Sequence, residues 1–237
     1  MTISAVVFDW YATLAMPNPD DFWTRLEHEI ADAGGVPDAD LLGAWEFEHP
    51  DEHRDHSVDE TAYRAWQRRR LDELFSGCGV ADPARTTLLD RIEAQRYTRV
   101  YDVFPDVVDT LGALRGRGLT VGLCSNWDWD LDRHLARTGV ADLVDFAVCS
   151  ARSGFRKPHP AIFAEVLDRA GAARADEVVF VGDSWGDDVG GAQAAGLIPV
   201  HVVRSGACAA GDHDGVPCTT TIADDRFQRH IRLRRLQ

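Results

Sequence analysis

The sequence is short of positive charge. It has 25 lysines and arginines against 39 aspartates and glutamates among 237 residues, a formal net charge of −14. A nucleic-acid binder needs a cationic surface to displace counterions from the phosphates, so this balance predicts no nucleic-acid partner. Long apolar runs are also missing, since none approaches the ~20 residues of a membrane-spanning helix. The first residues, Met1-Thr2-Ile3-Ser4-Ala5, lack the pattern of a signal peptide, so we expect no membrane partner.

Paired cysteine motifs are absent as well. The five cysteines form no CxxC pair, which argues against a structural zinc site and predicts a reduced, cytoplasmic protein. The composition is 45% hydrophobic and 27% charged, which is typical of a folded globular protein. The length suits one large domain, or a core domain with a small accessory one.

Short apolar runs alternate with helix-like stretches through much of the chain. The predicted strands cover residues 3–8, 119–124, 146–149, 177–181 and 198–203. The predicted helices between them cover residues 106–117, 129–138, 160–171 and 187–195. Strands that alternate with helices indicate an α/β fold with a doubly wound parallel sheet. The segment 205–218, rich in small residues, is predicted to be a loop.

The stretch from residue 15 to residue 104 breaks this alternation, because it contains helical patterns alone. These are predicted at about 19–33, 38–47, 59–76 and 83–100. We therefore predict a core domain made of residues 1–14 and 105–237, with an α-helical cap domain at 15–104 inserted after the first strand. Such a cap would cover the carboxyl edge of the sheet, where open α/β sheets bind ligands.

Polar side chains follow the predicted strands at their carboxyl ends. They are Asp9, Ser125, Asn126, Lys157, Asp183, Asp187 and Asp188. Parallel strands bring these ends to one edge, so the side chains should meet there. The acids would repel one another unless a divalent cation lay among them, and hard oxygen ligands of this kind suit Mg²⁺. The cation and the Lys157 ammonium would then accept a phosphate dianion.

These residues resemble four motifs of the haloacid dehalogenase-like hydrolase superfamily. The motifs are Asp9-Trp10-Tyr11-Ala12-Thr13-Leu14, Ser125-Asn126, Lys157-Pro158 and the segment from Gly182 to Asp188. The helical insertion resembles the cap of its subfamily I. The resemblance implies a Rossmannoid core and catalysis through a covalent aspartyl intermediate, with Asp9 as the nucleophile.

The resemblance also implies roles for the other motif residues. Thr13 and Ser125 would position the phosphoryl group, and Lys157 would balance charge. Asp183 would bind Mg²⁺ together with Asp9, the backbone carbonyl of Tyr11, and either Asp187 or Asp188. Asn126 is open to two interpretations, a cap at the strand end or a contact to the substrate.

Tyr11 departs from the pattern of most phosphatases in the superfamily. They carry there a second aspartate, which protonates the leaving group and later activates water. A tyrosine, with an unperturbed pKa of about 10, is a poor base at neutral pH. The 2-haloacid dehalogenases of the superfamily do have tyrosine here, and a leaving halide needs no proton. Tyr11 could therefore handle protons, or could simply form a wall of the pocket.

Two residues favour the phosphatase over the dehalogenase. The metal-independent dehalogenases have serine where this chain has Asp183, and they hold the halide with a cap arginine where this chain offers Glu46. We therefore predict a Mg²⁺-dependent phosphatase of a small phosphorylated metabolite, as a monomer or homodimer. A 2-haloacid dehalogenase and a catalytically weak binding descendant remain the alternatives.

Overall fold

The fold is described from a computed structural model of the chain. It describes residues 2–19, 22–46, 51, 53–96, 98–205, 212–213, 215–224, 227 and 231. The strands are β1 (Ala5–Phe8), β2 (Ala15–Pro17), β3 (Tyr101–Val103), β4 (Thr120–Ser125), β5 (Phe146–Cys149), β6 (Val178–Gly182), β7 (Ile198–Val202), β8 (Asp212–His213) and β9 (Val216–Thr219).

A seven-stranded sheet forms the centre of the described chain, in the order β5-β4-β1-β6-β7-β9-β8. Neighbouring strands run parallel, except that β8 is antiparallel to β9. β1 lies in the middle of the sheet and is completely buried, as its continuous apolar run requires. This architecture confirms the predicted doubly wound parallel sheet.

The register aligns the strand ends that carry the predicted site. Phe8, the last residue of β1, pairs with Leu123 on one side and with Val181 on the other. Asp9 therefore leaves the sheet level with Gly182, the last residue of β6, and one residue before Ser125, the last residue of β4. The polar residues that follow these strands share one edge of the sheet.

Helices cover both faces of the sheet. They are α5 (Val107–Gly116), α6 (Leu131–Thr138), α7 (Ser150–Ser153), α8 (Pro160–Ala170) and α9 (Gly191–Ala194). One buried cluster packs α5 and α6 against one face, and a second packs α8 against the other. The stretch predicted as a helix at 187–195 is instead a π-helical turn (Trp185–Gly190) followed by α9. Such π-helical turns occur frequently at functional sites.

The prediction of a loop at 205–218 is wrong for the C-terminal part of the segment. Residues Asp212–His213 and Val216–Thr219 form β8 and β9, and β9 extends the parallel sheet beside β7. The composition of the segment concealed these strands, because β8 and β9 are only two and four residues long and lie among glycines and other small residues. Between residues 206 and 211 the segment lies outside the described residues.

The insertion contains the helices α1 (Phe22–Asp32), α2 (Ala39–Glu46), α3 (Glu60–Gly77) and α4 (Ala84–Arg96). Leu26, Ile30, Leu71 and Phe75 belong to a buried cluster that is separate from the two clusters flanking the sheet. The sequence did not indicate the short antiparallel pair β2–β3, which brings the two ends of the insertion together. The domain boundaries at 14 and 105 stay a prediction.

Two further expectations can be compared with the structure. Cys78, Cys124 and Cys149 are free and buried, whereas Cys218 is disulfide-bonded, so the expectation of fully reduced cysteines is wrong at that position. Among the described residues, no helix has the length and apolar character to cross a bilayer.

A nearly buried ion pair fixes the loop after β1 to the rest of the core. The Arg204 guanidinium donates from Nε and Nη2 to the carbonyl oxygen of Thr13, at 2.9 and 2.7 Å, and from Nη1 to Asp106 Oδ2 at 2.7 Å. The same carboxylate accepts a hydrogen bond from the backbone N–H of Ile222 at 2.8 Å and another from the Thr221 hydroxyl. Burial by itself would raise the pKa of Asp106, but the hydrogen bonds from Arg204 and Thr221 hold it below its ordinary value.

We expect Asp106→Asn to lower the free energy of unfolding by about 2 kcal/mol at pH 7, because charge-assisted hydrogen bonds are lost. The pKa of Asp106 is lower in the folded than in the unfolded chain. Its contribution is therefore complete above the unfolded pKa of about 3.9 and disappears as the pH falls through the folded value. Urea unfolding measured from pH 7 to pH 3 should show the two proteins converging at acid pH. Asp109→Asn, an exposed change on α5, is the control, and a constant difference across this range would contradict the assignment.

Candidate active site

Lys157 lies at the centre of the shared sheet edge. Its Nζ is 2.6 Å from Asp9 Oδ1 and 2.5 Å from Asp188 Oδ1, and it donates a third hydrogen bond to the carbonyl oxygen of Cys124 at 3.1 Å. The three charged side chains are between 1% and 7% exposed. Burial tends to lower the pKa of this ammonium, but Asp188 and Asp9 outweigh burial and raise it well above its ordinary value. Lys157 is thus a permanent buried cation and is the single lysine of the sequence.

Asp9, Asp183 and Asp188 form a cluster of three carboxylates. Each offers an oxygen within 4.8 Å of the others, a geometry that can hold a metal ion. Burial and the nearby Asp9 raise the pKa of Asp183 to about 6. Burial raises the pKa of Asp188 to about 7, although Lys157 opposes this. One ammonium does not neutralise three carboxylates, so the cluster fits a divalent cation with oxygen ligands.

The backbone after β6 positions these acids. Asp188 Oδ2 accepts a hydrogen bond from the N–H of Ser184 at 3.0 Å, and Ser184 Oγ accepts one from the N–H of Asp187 at 3.2 Å. Gly182 is required by the close approach of Asp188, since a Cβ at this glycine would lie 2.2 Å from Asp188 Oδ2. His201 Nε2 lies 2.9 Å from the carbonyl oxygen of Asp183 and fixes the other end of the turn.

Asp187 and Asp188, which the sequence left as equal candidates for the metal, have different surroundings. Asp188 is buried within the cluster, whereas Asp187 accepts a hydrogen bond from Asn126 Nδ2 at 3.2 Å. Burial raises the pKa of Asp187 too. The structure thus brings Asp188 into the carboxylate cluster and places Asp187 at its margin.

Asn126 holds the loop that carries Lys157. Its Oδ1 accepts from the Lys157 N–H at 2.7 Å, and its Nδ2 donates to the Lys157 carbonyl at 3.1 Å. This pairing between an amide side chain and a peptide group favours a positioning role over the strand-end cap considered from the sequence. Ser125 is buried at the end of β4 and lines the cavity above Asp9.

The first motif forms a tight turn after β1. The N–H groups of Leu14 and Ala15 both donate to the carbonyl of Trp10, at 2.9 and 3.0 Å, and Ala12 has a positive φ of 55°. Thr13 is buried, and its hydroxyl donates to Asp183 Oδ1 at 3.1 Å, so it contacts the carboxylate cluster directly. Tyr11 points outward, is 40% exposed and lines the cavity.

A cavity of about 430 Å³ opens over these groups. Of the predicted site residues, those that line it are Asp9, Tyr11, Ser125, Asn126, Lys157, Asp183, Asp187 and Asp188. Thr13 lies behind Asp183. Sequence reasoning missed Arg99 and Arg156, which add positive charge to the rim. Arg156 could have been found from its position next to Lys157, whereas nothing in the local sequence marks Arg99.

The side chain of Glu46, which the sequence placed where the dehalogenases have a cap arginine, lies outside the described residues. That comparison therefore stays a prediction. The described cations nearest to the carboxylate cluster along the cavity wall are Lys157, Arg156 and Arg99.

Comparison with known proteins identifies the family of this fold and site. The sequence model of the haloacid dehalogenase-like hydrolases matches residues 3–196. A glyceraldehyde 3-phosphate phosphatase of Methanopyrus kandleri is 32% identical over 142 residues, which are 57% of this chain and 59% of that protein. Another curated relative is the haloacid dehalogenase-like hydrolase domain-containing protein 3 of Danio rerio. The match to this chain spans 52% of that protein's length.

Dehalogenases are matched over more of the chain. The (S)-2-haloacid dehalogenase 1 of Pseudomonas sp. strain CBS-3 is 29% identical over 206 residues, 85% of each protein. A crystal structure of a 2-haloacid dehalogenase from Pseudomonas syringae pv. Tomato DC3000 superimposes with a TM-score of 0.68 at 27% identity, covering 98% of this chain and 99% of the other. Both activities that the sequence left open thus occur among the relatives.

Proposed function

The chain belongs to the haloacid dehalogenase-like hydrolases, and we propose that it is a Mg²⁺-dependent phosphatase that hydrolyses a small phosphate monoester. The observation that carries the proposal is the cluster of Asp9, Asp183 and Asp188, in which the Lys157 ammonium contacts Asp9 and Asp188. A dehalogenase that works without metal has no need of three mutually repelling carboxylates, two of them buried. A phosphatase needs them, because they bind the cation whose positive charge offsets the negative charge of the phosphate.

The metal would be held by Asp9, Asp183 and Asp188, with the carbonyl of Tyr11 as the further ligand implied by the family. When bound, Mg²⁺ supplies positive charge that offsets the negative charge of the phosphate and of the attacking carboxylate. The remaining steps belong to side chains of this protein.

Asp9 is the nucleophile in this proposal. Lys157 Nζ donates a hydrogen bond to Oδ1 of the Asp9 carboxylate at 2.6 Å, which leaves the other oxygen for attack on phosphorus. Asn126 holds the backbone of Lys157 in place, and the Ser125 hydroxyl is at the position to donate to a phosphoryl oxygen. The attack breaks the bond between phosphorus and the ester oxygen, and the departing alcohol takes its proton from water. A second water then hydrolyses the aspartyl phosphate that remains.

A 2-haloacid dehalogenase is the second candidate, and Tyr11 is the observation that favours it. Asp9 would then attack the carbon that bears the halogen and form an ester, with no acid required for the departing halide. Arg99 and Arg156 could hold the carboxylate of a haloacid, since both line the cavity above Asp9.

A paired assay tests the two candidates. We expect the purified protein to release phosphate from a panel of phosphate monoesters in the presence of Mg²⁺, and to lose this activity by about 10²-fold or more in EDTA. Mg²⁺ at about 100 times its dissociation constant should also stabilise the fold by about 2.7 kcal/mol, which raises the melting temperature by about 5–10 °C.

The same assay with a panel of 2-haloacids, with Mg²⁺ and with EDTA, distinguishes the dehalogenase from the phosphatase. Release of halide that is indifferent to EDTA, without phosphate release, would replace the phosphatase by the dehalogenase. In Asp183→Asn, phosphate release and the Mg²⁺-dependent rise in melting temperature should disappear together. Asp176→Asn, on a surface turn far from the cavity, should retain both.

A further inference from the structure

A second cavity, of about 230 Å³, lies beside the one above Asp9. The two share the lining residues Arg99, Tyr101, Asn126, Trp127 and Arg156. A molecule with its phosphate on Asp9 can therefore extend its alcohol portion into this second space, which we call the side cavity.

Half of the twelve residues that line the side cavity carry ring side chains. Tyr101 and Trp127 meet edge to face with ring centroids 5.4 Å apart, and both rings pack edge to face against His134, at 4.9 and 5.6 Å. Tyr63 of α3 lies on the opposite side, from the inserted helices. An apolar cavity of about 150 Å³ already admits benzene, so this one is large enough for a substituted six-membered ring. Aromatic walls favour a flat aromatic guest through edge and stacking contacts.

The side cavity also has an acidic end. Asp128 and Asp130 line it but do not line the cavity above Asp9. Asp130 is the N-cap residue immediately before α6, yet its side chain makes no capping hydrogen bond to that helix; its Oδ2 lies 3.4 Å from His134 Nε2. The end far from Asp9 thus offers carboxylate acceptors to a hydroxyl or amino substituent on the ring.

Tyr11 restricts which leaving groups can be expelled, and this restriction does not depend on the side cavity. The cavity over Asp9 presents a phenol where the related phosphatases present a carboxylic acid, and the phenol is a far weaker proton donor. General acid catalysis contributes about 10²–10⁴-fold to a reaction that needs it. When a phenol replaces the carboxylic acid, the rate of hydrolysis falls least for an ester whose leaving oxygen departs readily as an anion. Phenols are much more acidic than alkyl alcohols, so they make such esters.

From these two observations we propose that the substrate is an aryl phosphate whose ring occupies the side cavity. The inference rests on the proposed phosphatase activity and names its substrate class. An oxygen of Asp9 attacks phosphorus, the bond between phosphorus and the aryl oxygen breaks, and the electron pair leaves with the aryl oxide. The aryl oxide takes its proton from water, and a second water hydrolyses the aspartyl phosphate.

Three esters of similar size separate the two parts of the proposal. Phenyl phosphate has an aromatic ring and an acidic leaving group, benzyl phosphate has the ring alone, and cyclohexyl phosphate has neither. With Mg²⁺ present, kcat/KM for phenyl phosphate should exceed that for the other two by about 10²-fold or more. Benzyl phosphate should exceed cyclohexyl phosphate by a few-fold to about tenfold, as expected for aromatic contacts.

Two pairs of variants test the assigned residues. Tyr11→Asp should raise kcat/KM for benzyl phosphate about tenfold or more relative to phenyl phosphate, whereas Tyr11→Asn, of the same shape without an acid, should leave this ratio unchanged. Tyr11 is exposed, so neither change should disturb folding. Tyr63→Leu should reduce the ratio of benzyl to cyclohexyl phosphate to about one, since the aromatic contact is lost. Tyr63→Phe, which keeps the ring and loses only the hydroxyl, should preserve it.

The outcomes distinguish this inference from the proposed function. Phenyl and cyclohexyl phosphates hydrolysed at the same kcat/KM would overturn the aryl preference while the phosphatase stands. The aryl preference would also be overturned if the protein hydrolysed other phosphate esters with Mg²⁺ but none of phenyl, benzyl and cyclohexyl phosphate. Hydrolysis of no phosphate ester under any condition would overturn the proposed function and the inference together.

Discussion

Asp9→Asn is expected to abolish turnover, with kcat/KM falling about 10⁴-fold or more, as is typical when a covalent nucleophile is removed. The amide has the shape of the carboxylate and can still accept the hydrogen bond that Lys157 Nζ donates at 2.6 Å. It lacks the negative charge and the nucleophilic oxygen. Phosphate release from an ester panel with Mg²⁺, followed over several hours, provides the measurement.

The structure supplies a control and a way to see the intermediate. Asp132→Asn removes an exposed carboxylate that pairs with Arg152, so it should retain full activity. Wild-type protein denatured in acid during turnover should carry a phosphoryl group on the peptide that contains Asp9, detected by mass spectrometry. Asp9→Asn with more than a few per cent of wild-type activity, or a phosphoryl group on another residue, would show that the nucleophile lies elsewhere.

Lys157→Met should have the second largest effect, on both folding and activity. The methionine fills a similar volume, but Asp9 and Asp188 then face each other without the ammonium that contacts both. Removing one partner of a buried ion pair costs about 3–5 kcal/mol, which lowers the melting temperature by about 10 °C or more. Activity should fall about 10²–10³-fold, a magnitude typical of losing one electrostatic contact to the reacting groups.

Mg²⁺ separates this effect from a simple packing defect. The ion can restore part of the charge balance between the carboxylates, so it should stabilise Lys157→Met by more degrees than it stabilises wild type. Arg169→Met, an exposed change on α8, is the control and should leave both the melting temperature and its response to Mg²⁺ unchanged. Equal responses to Mg²⁺ in Lys157→Met and wild type would show that the lysine does not share its partners with the metal.

The central strand and its catalytic edge could be predicted from sequence. β1 is a run of buried apolar residues that stops at Asp9, and both neighbours of β1 in the sheet end one or two residues beyond the level of Phe8. A parallel sheet brings these ends to one edge, because its strands all run in the same direction. Asp9, Ser125 and Asp183 could therefore be grouped although they are more than 50 residues apart in the chain.

Other features could not be predicted from the sequence, because they depend on residues far apart in the chain or on strand pairing that no local pattern indicates. Arg204 holds the carbonyl of Thr13, 191 residues away, and no sequence pattern links an arginine to a distant peptide oxygen. β9 has only four residues, one of them proline, so it does not differ from a loop until its pairing with β7 is seen. The side cavity depends on Tyr63 from the insertion meeting Trp127 and His134 from the core.

The sequence by itself determined the type of sheet, the order of the motifs and the presence of a phenol where an acid is usual. The tertiary structure decided which acid joins the cluster. Asp187 and Asp188 are adjacent and chemically identical, so their composition cannot rank them. The π-helical turn and the absent side chain of Gly182 direct Asp188 inward to Lys157, while Asp187 turns to Asn126. Charge balance in a buried site depends on such directions, and these are properties of the packed backbone.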